Sequence, residues 1–240
     1  MYQFTLSDPE AVKYCFEVIE SGGLFVANLG RVYTLVGDAY DPTSCERISG
    51  AKGHPEGFTT GWLGLDMIQH FFDSAQVMPL TTVYLTDGAY LNERFGGRVL
   101  VRYPVSRRGQ TLLPPWMISS HGGGHYFQQF SFVGMPEAYE IEKACARAVA
   151  SLHPECQVPM AAARSANYHG RGSIVDPGDA ESFCRDSEIE LVIHDESVGK
   201  GSYAIFVLGP GGNVLTRYET CSADEVAYFL DSLPGSEQSA

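Results

Sequence analysis

Segments with helical periodicity alternate with short strand-like segments along the whole chain. A helix or a sheet can bury its apolar face only against another layer, so this alternation predicts an α/β fold with helices packed on a twisted, mixed β-sheet. No repeat, linker or low-complexity segment divides the sequence, and 240 residues with 44% apolar residues can fill one large core. We therefore predict one domain over residues 1–234 and a disordered tail over 235–240.

The helices are predicted from capping residues and apolar spacing. Ser7 and Glu10 have the spacing of a capping box before the first helix, and Ser222 and Glu225 have the same spacing before the last. Strands are predicted between the helices at 24–29, 32–36, 61–65, 98–105, 126–133, 158–163, 189–194, 203–208 and 214–218.

Two further segments carry specific expectations. A long helix over 136–152 has apolar residues at helical spacing, which predicts that Glu142 faces water with the other charged side chains. The connection over 106–125 is too long for an ordinary loop, so we expect a lid or a binding loop there.

Charge and cysteine content exclude several classes of protein. The formal charge of −13 repels phosphate backbones and argues against nucleic-acid binding. The six cysteines form no C-x-x-C pair, which argues against a zinc site or a disulfide framework. The sequence has neither a signal-peptide pattern nor an apolar segment long enough to span a membrane, so we expect a cytoplasmic protein.

Two polar clusters are candidates for anion binding. Lys52 and His54 share a loop that could hold a phosphate, although Lys52 could instead cap the preceding helix and leave His54 exposed. Ser165 and Asn167 follow a strand of small residues, where open α/β sheets bind ligands. The alternative is a turn that only reverses the chain.

The remaining motifs give weaker indications of a binding or catalytic site. The glycines between His121 and His125 do not fix ligand geometry, so no protein-bound metal is predicted. The turn over 199–202 could cradle an anion, or it could be an ordinary hairpin. The P-loop, G-x-S-x-G, H-E-x-x-H and Rossmann patterns are all absent from the sequence.

Four segments resemble, in order and spacing, motifs of the YrdC/Sua5 family, which makes threonylcarbamoyl-adenylate from threonine, bicarbonate and ATP. Residues 22–55 resemble the family's opening strand, tyrosine-containing turn and lysine-bearing loop, and 95–104 resemble its W-P-G-x-x-T strand. Residues 165–167 are similar to its S-x-S-A-N turn, and 201–219 to its closing hairpin. The resemblance implies a YrdC/RibB-like mixed sheet flanked by helices, with a concave basic pocket.

The resemblance also implies a set of site residues. ATP, with Mg²⁺ and as a substrate, would be bound by Lys52, His54, Ser165, Asn167, Ser202 and Arg217. A small carboxylate or carbamate would be bound by Asn28, Arg31 and Tyr33. Lys52 and Arg31 would support catalysis by positioning and charge stabilisation, since the sequence offers no evident nucleophile.

The chain departs from the family pattern at several of these positions. Residues 28–31 replace the P-T-x-T turn, which removes both hydroxyls and adds a cation, and His54 stands where the family has arginine. Each lost cation removes a charge-assisted hydrogen bond to a triphosphate. We therefore expect a YrdC-like, carbamoyl-adenylate-forming transferase with an altered substrate or a specialised pathway.

Two alternative functions stay open. The first is a catalytically inactive YrdC-like protein that senses a nucleotide or joins a complex, with a protein partner or as a homodimer. The second is binding of double-stranded RNA or tRNA, which the net charge opposes.

Overall fold

The computed structural model describes residues 1–50, 59–77, 90, 93, 99–121, 123–132, 135–168, 171–195, 201–216, 218, 221–232 and 235–238. The strands in this part of the chain are β1 Tyr2–Thr5, β2 Phe25–Asn28, β3 Tyr33–Asp38, β4 Thr60–Trp62, β5 Val99–Pro104, β6 Ile118–His121, β7 Gly124–Phe130, β8 Ala161–Ser165, β9 Leu191–His194, β10 Ala204–Gly209, β11 Gly212–Thr216 and β12 Ser236–Gln238. The helices are α1 Pro9–Glu20, α2 Pro42–Gly50, α3 Gly109–Leu112, α4 Pro136–Leu152, α5 Pro177–Asp186 and α6 Ala223–Ser232. Three 3₁₀ segments lie at Leu65–His70, Ser74–Gln76 and Pro115–Met117.

The described strands form one mixed sheet of twelve strands in the order β1-β9-β2-β3-β8-β4-β7-β5-β10-β11-β12, with β6 paired to β7. The sheet contains parallel pairs, such as β4 with β7 and β5 with β10, and antiparallel pairs, such as β3 with β8 and β5 with β7. The predicted α/β fold with a mixed sheet is confirmed.

Each face of the sheet buries its own apolar layer, because successive side chains of a strand point to opposite faces. On one face, α1 and α4 pack on each other and on strand residues such as Phe25 and Ile193. On the other face, α2, α5 and α6 cover residues such as Val26 and Phe206. We call these two sides the α1/α4 face and the α2/α5 face.

The two predicted capping boxes have different outcomes. Asp8, and not Ser7, caps α1, since its carboxylate accepts a hydrogen bond from the Glu10 backbone N–H at 2.9 Å. The box before α6 is confirmed: the Ser222 hydroxyl accepts from the Glu225 N–H at 3.2 Å, and the Glu225 carboxylate accepts from the Ser222 N–H at 2.8 Å.

The prediction for the tail needs correction, and the long connection contains regular elements. Residues Ser236–Gln238 form β12, which pairs parallel with β11, so the prediction of a disordered tail is wrong for these three residues. The described part of 106–125 folds into α3, a 3₁₀ turn and β6, and the Trp116 indole N–H donates to the Ala39 carbonyl at 2.9 Å. This segment thus joins the sheet through β6, and its role as a lid or a binding loop stays a prediction.

No helix in the described part of the chain is both long enough and apolar enough to cross a membrane.

Candidate functional site

A cavity of about 260 Å³ opens on the α1/α4 face of the sheet. Its apolar lining continues the apolar layer of that face and consists of Leu29, Val32, Trp62, Leu100, Phe130, Phe132, Ala163 and Tyr203. Its polar lining consists of Thr34, Thr60, Arg102, Gln128, Arg164, Ser165, Ser173 and Ser202. The described lining residues include neither Asp nor Glu. Of the two arginines, Arg164 turns its guanidinium to Ser49 of α2 on the other face, at 3.4 Å, so Arg102 is the arginine that faces the cavity.

The strand register places polar and apolar side chains in two neighbouring rows across this cavity. Thr60 pairs with Gln128, which also pairs with Arg102, so one row carries three polar side chains from three strands. Trp62 pairs with Phe130 two residues further along the same strands, so the next row is aromatic. Because residues two apart share a face, both rows point into the cavity.

A chain of hydrogen bonds runs along the polar row. The Arg102 Nε–H donates to Gln128 Oε1 at 2.9 Å, and Gln128 Nε2 donates to the Thr60 hydroxyl at 2.6 Å. The side-chain amide of Gln128 is buried, and its two different partners fix which end faces the guanidinium. Arg102 is therefore held in a defined orientation at the cavity wall.

The aromatic wall is packed by edge-to-face and tilted ring contacts. The Phe132 ring centroid lies 5.0 Å from that of Trp62 and 4.2 Å from that of Phe130, and Phe130 lies 4.5 Å from Tyr203. The Tyr203 hydroxyl donates to the Leu29 carbonyl, and burial raises the pKa of this phenol above its usual value. Such rings form a rigid wall with few hydrogen-bonding groups.

A buried carboxylate supports this wall from behind. Glu142 of α4 is 2% exposed, accepts from the Phe132 backbone N–H at 3.0 Å and lies 3.4 Å from the Ser131 hydroxyl, which donates to it. The prediction that Glu142 faces water is therefore wrong. The reason is tertiary: α4 turns this side of its surface toward the end of β7, whose backbone needs an acceptor.

Two of the predicted nucleotide-binding residues meet at the cavity. Ser165 ends β8 and Ser202 precedes β10, and both line the cavity. Asn167 does not line it. Its side-chain amide donates to the carbonyls of Tyr168 at 3.3 Å and Arg171 at 3.4 Å, so this side chain closes the turn that the sequence offered as the alternative.

The three predicted substrate-binding residues are not among the lining residues. Asn28 is fully buried, and its Oδ1 accepts from the Gly30 N–H at 3.1 Å. Arg31 forms an ion pair of 3.1 Å with Glu225 at the start of α6. The Ser222 backbone N–H, together with Arg31, holds the pKa of the Glu225 carboxyl below its usual range despite partial burial.

Tyr33 belongs to the apolar layer of the α2/α5 face, on the far side of the sheet from the cavity. Its hydroxyl lies 2.6 Å from His194 Nδ1, and burial raises its pKa to about 12. Burial also lowers the pKa of His194. These two side chains form a separate, partly buried pair.

Lys52, His54 and Arg217 lie outside the described residues, so their predicted contacts with the nucleotide stay predictions.

Sequence reasoning missed the polar row and the aromatic wall. Arg102 carries the one available signal, since it is the charged position in the apolar segment VLVRYP of β5. Alternation along β5 puts Arg102 on the same face as Leu100. Nothing in the sequence, however, shows that Gln128 and Thr60 lie beside it, because this depends on the register between strands.

Among the described residues, no three His, Cys, Asp or Glu side chains come close enough together to hold a metal ion. Of the two histidines discussed from the sequence, His121 and His125, the structure describes the ring of His125. Its Nδ1 lies 3.2 Å from the Ser120 hydroxyl.

The chain has a YrdC/Sua5-like fold, as the sequence resemblance implied, because solved structures of this fold superpose on most of it. Solved structures with this fold match the chain closely in shape. Sua5 of P. abyssi in complex with L-threonine superposes with a TM-score of 0.68 at 17% identity and covers 97% of this chain. YciO of E. coli gives 0.65 at 14% identity, with 89% of this chain and 92% of that chain covered.

A hypothetical protein of Streptococcus mutans UA159, smu.1377c, gives a TM-score of 0.63 at 14% identity over 99% of this chain and 96% of its own. The chain spans 62% of the length of the threonine-bound Sua5 structure. No protein-family model and no curated protein sequence matches the chain.

Proposed function

We propose that this protein is a YrdC-like enzyme that binds ATP and activates a small carboxylate or carbamate in the cavity on the α1/α4 face. The observation that carries the proposal is the position of Ser165 and Ser202, which come from distant parts of the chain and line one cavity that also holds an arginine. The threonine-bound Sua5 structure, which has the same fold, supports a small-molecule site of this kind.

The proposed roles follow from the side-chain chemistry. The Ser165 and Ser202 hydroxyls would bind phosphate oxygens of ATP, and Lys52, His54 and Arg217 would supply further contacts to the triphosphate. A carboxylate oxygen of the substrate would attack the α-phosphorus while the bond from that phosphorus to the pyrophosphate oxygen breaks. The products are a mixed anhydride with AMP and free pyrophosphate. The protein would act by positioning the two substrates and stabilising charge.

Arg31 needs a change of partner before it can take the role that the sequence suggests. Its ion pair with Glu225 ties it to α6, so binding of a substrate carboxylate by Arg31 would replace that contact. The Arg31 side chain is only 11% exposed, and a buried cation left without its partner costs about 3–5 kcal/mol. The substrate carboxylate would therefore have to take the place of Glu225 directly.

A second candidate function is a binding protein without turnover. The size and lining of the cavity favour it: about 260 Å³ lies just below the roughly 300–1,000 Å³ of typical ligand pockets, and half of the lining is apolar. Such a space suits a small metabolite better than a metabolite together with a whole nucleotide. In this function the protein would sense the metabolite or present it to a partner.

Calorimetric titration with ATP and Mg²⁺, with and without threonine and bicarbonate, tests the enzyme proposal. We expect ATP binding that strengthens with the second substrate, together with release of pyrophosphate. A Ser165→Ala/Ser202→Ala double variant should bind ATP at least about tenfold more weakly, since each lost hydrogen bond to a charged group is worth about 1.5–3 kcal/mol. Ser151→Ala, at an exposed position of α4, is the matched control.

Absence of ATP binding at millimolar concentration, in a protein whose circular dichroism shows the folded state, would overturn the enzyme proposal and leave the binding function.

A further inference from the structure

The two side-chain rows of the cavity have opposite chemistry and a fixed separation. Thr60, Gln128 and Arg102 form the polar row, and Trp62 and Phe130 form the aromatic row two residues further along the strands. Residues two apart on one face of a strand are separated by about 6–7 Å. A ligand that contacts both rows must therefore carry a polar group at one end and an apolar group roughly this far away.

The polar row is arranged to bind an anion. Arg102 is held through its Nε by Gln128, and Gln128 is held in turn by Thr60. A guanidinium fixed in this way loses little side-chain entropy when it binds a planar anion, and its fork of N–H donors matches a carboxylate.

The net negative charge of the protein makes the local positive charge of Arg102 important for binding an anionic ligand. With a formal charge of −13, the protein as a whole repels anions. The described residues that line the cavity include no carboxylate that would compete for the guanidinium. Arg102 therefore supplies the positive charge that attracts an anionic ligand to this cavity against the net charge of the protein.

The aromatic row is a poor binding surface for a small polar group of a ligand. Leu100, Phe130 and Tyr203 are 5–7% exposed and present apolar surface to the cavity, while Trp62 and Phe132, at 0–1%, support them from behind. The indole N–H of Trp62 is a buried donor without a partner and could bind one ligand acceptor. The rings of Phe130 and Phe132 cannot replace the hydrogen bonds that a ligand hydroxyl loses to water, whereas an apolar group gains by burial. The wall therefore selects apolar groups.

We propose that the cavity is specific for a carboxylate that carries an aromatic or similarly bulky apolar group. Arg102 binds the carboxylate, oriented through Gln128 and Thr60, and the wall of Trp62 and Phe130 encloses the apolar group. The inference rests on the proposed function, because it names the substrate class of the same cavity.

Titration in the absence of ATP tests the inference with three probes: hydrocinnamate, its neutral amide hydrocinnamamide, and acetate. Quenching of tryptophan fluorescence or calorimetry can follow binding. Hydrocinnamate should bind the wild-type protein at least about tenfold more tightly than either other probe, because each of them lacks one of the two interactions. Arg102→Gln should weaken hydrocinnamate binding about 10- to 100-fold, whereas the exposed Arg147→Gln, with the same charge change, should not alter it.

Equal binding of the three probes by the wild-type protein would overturn the inference, and this comparison needs no variant. Unchanged hydrocinnamate binding in an Arg102→Gln protein with a native circular dichroism spectrum would also overturn it. Because ATP is absent, a failure of ATP binding leaves these results intact. Conversely, pyrophosphate release with threonine but without selectivity for apolar acids would support the proposed enzyme and refute this substrate class.

Discussion

Removal of the Glu142 carboxylate should destabilise the protein strongly, although sequence reasoning places this residue on a solvated helix face. In Glu142→Ala, the Phe132 N–H and the Ser131 hydroxyl both lose an acceptor in a buried environment. Each buried donor left without a partner costs about 1–3 kcal/mol. The Ser131 hydroxyl can rotate toward another acceptor, so we expect a total loss of about 3 kcal/mol in the free energy of unfolding, or a Tm lower by about 6–12 °C for a chain of this size.

Urea unfolding followed by tryptophan fluorescence is a suitable assay, because buried Trp62 packs edge-to-face on Phe132. Glu142→Gln keeps one acceptor oxygen and should lose about half as much. Glu140→Ala is the control on the same helix, since Glu140 is exposed and forms only a surface ion pair with Lys143, worth about 0–1 kcal/mol. If Glu142→Ala unfolds at the same urea concentration as Glu140→Ala, the buried role of Glu142 is refuted.

Two further predictions concern packing and pH. A Cβ at Gly61 would clash with the ring of buried Phe127, so Gly61→Ala should lower the free energy of unfolding by about 1–3 kcal/mol. Gly172 lies in open space, so Gly172→Ala is the control and should not change this free energy. Equal urea midpoints for the two variants would refute this packing. Burial lowers the pKa of His194 in the folded state, so near this pKa the unfolded state binds more protons than the folded state. The free energy of unfolding should therefore fall as the pH falls from about 7.5 through the unfolded pKa of about 6.5. His194→Asn, which can still hydrogen-bond the Tyr33 hydroxyl, should show a smaller drop in urea midpoint between about pH 7.5 and 5.5, and an unchanged drop would contradict the assignment.

Helices are predicted well where their bounds depend on capping residues and on the spacing of apolar residues within the helix. The helix predicted over 136–152 has these bounds in the structure, and the box of Ser222 and Glu225 caps α6 as expected. The cap of α1 is misassigned from sequence because Ser7 and Asp8 are neighbours with similar capping chemistry, and only the backbone geometry decides which of them accepts the N–H.

The site is predicted only in part, since its residues belong to segments far apart in the chain. Ser165 and Ser202 are identified from a resemblance to a family whose motif order they share, and both line the cavity. Arg31 and Tyr33 are assigned to the same site, but Arg31 pairs with Glu225 and Tyr33 points to the other face. The face of the sheet to which a strand residue points depends on the register of its strand with the neighbouring strands. The sequence of the preceding turn does not give this register.

The class of fold, the positions of most helices and strands, and the sign of the protein's charge can be predicted from the sequence, because periodicity, capping and composition act over short distances. Which side chains meet depends on how the strands and helices pack together. Only the pairing of β4, β7 and β5 brings Thr60, Gln128 and Arg102 into one row, and only the packing of α4 on β7 buries Glu142. Both depend on contacts between residues distant in sequence, and such contacts form only when the whole sheet is assembled.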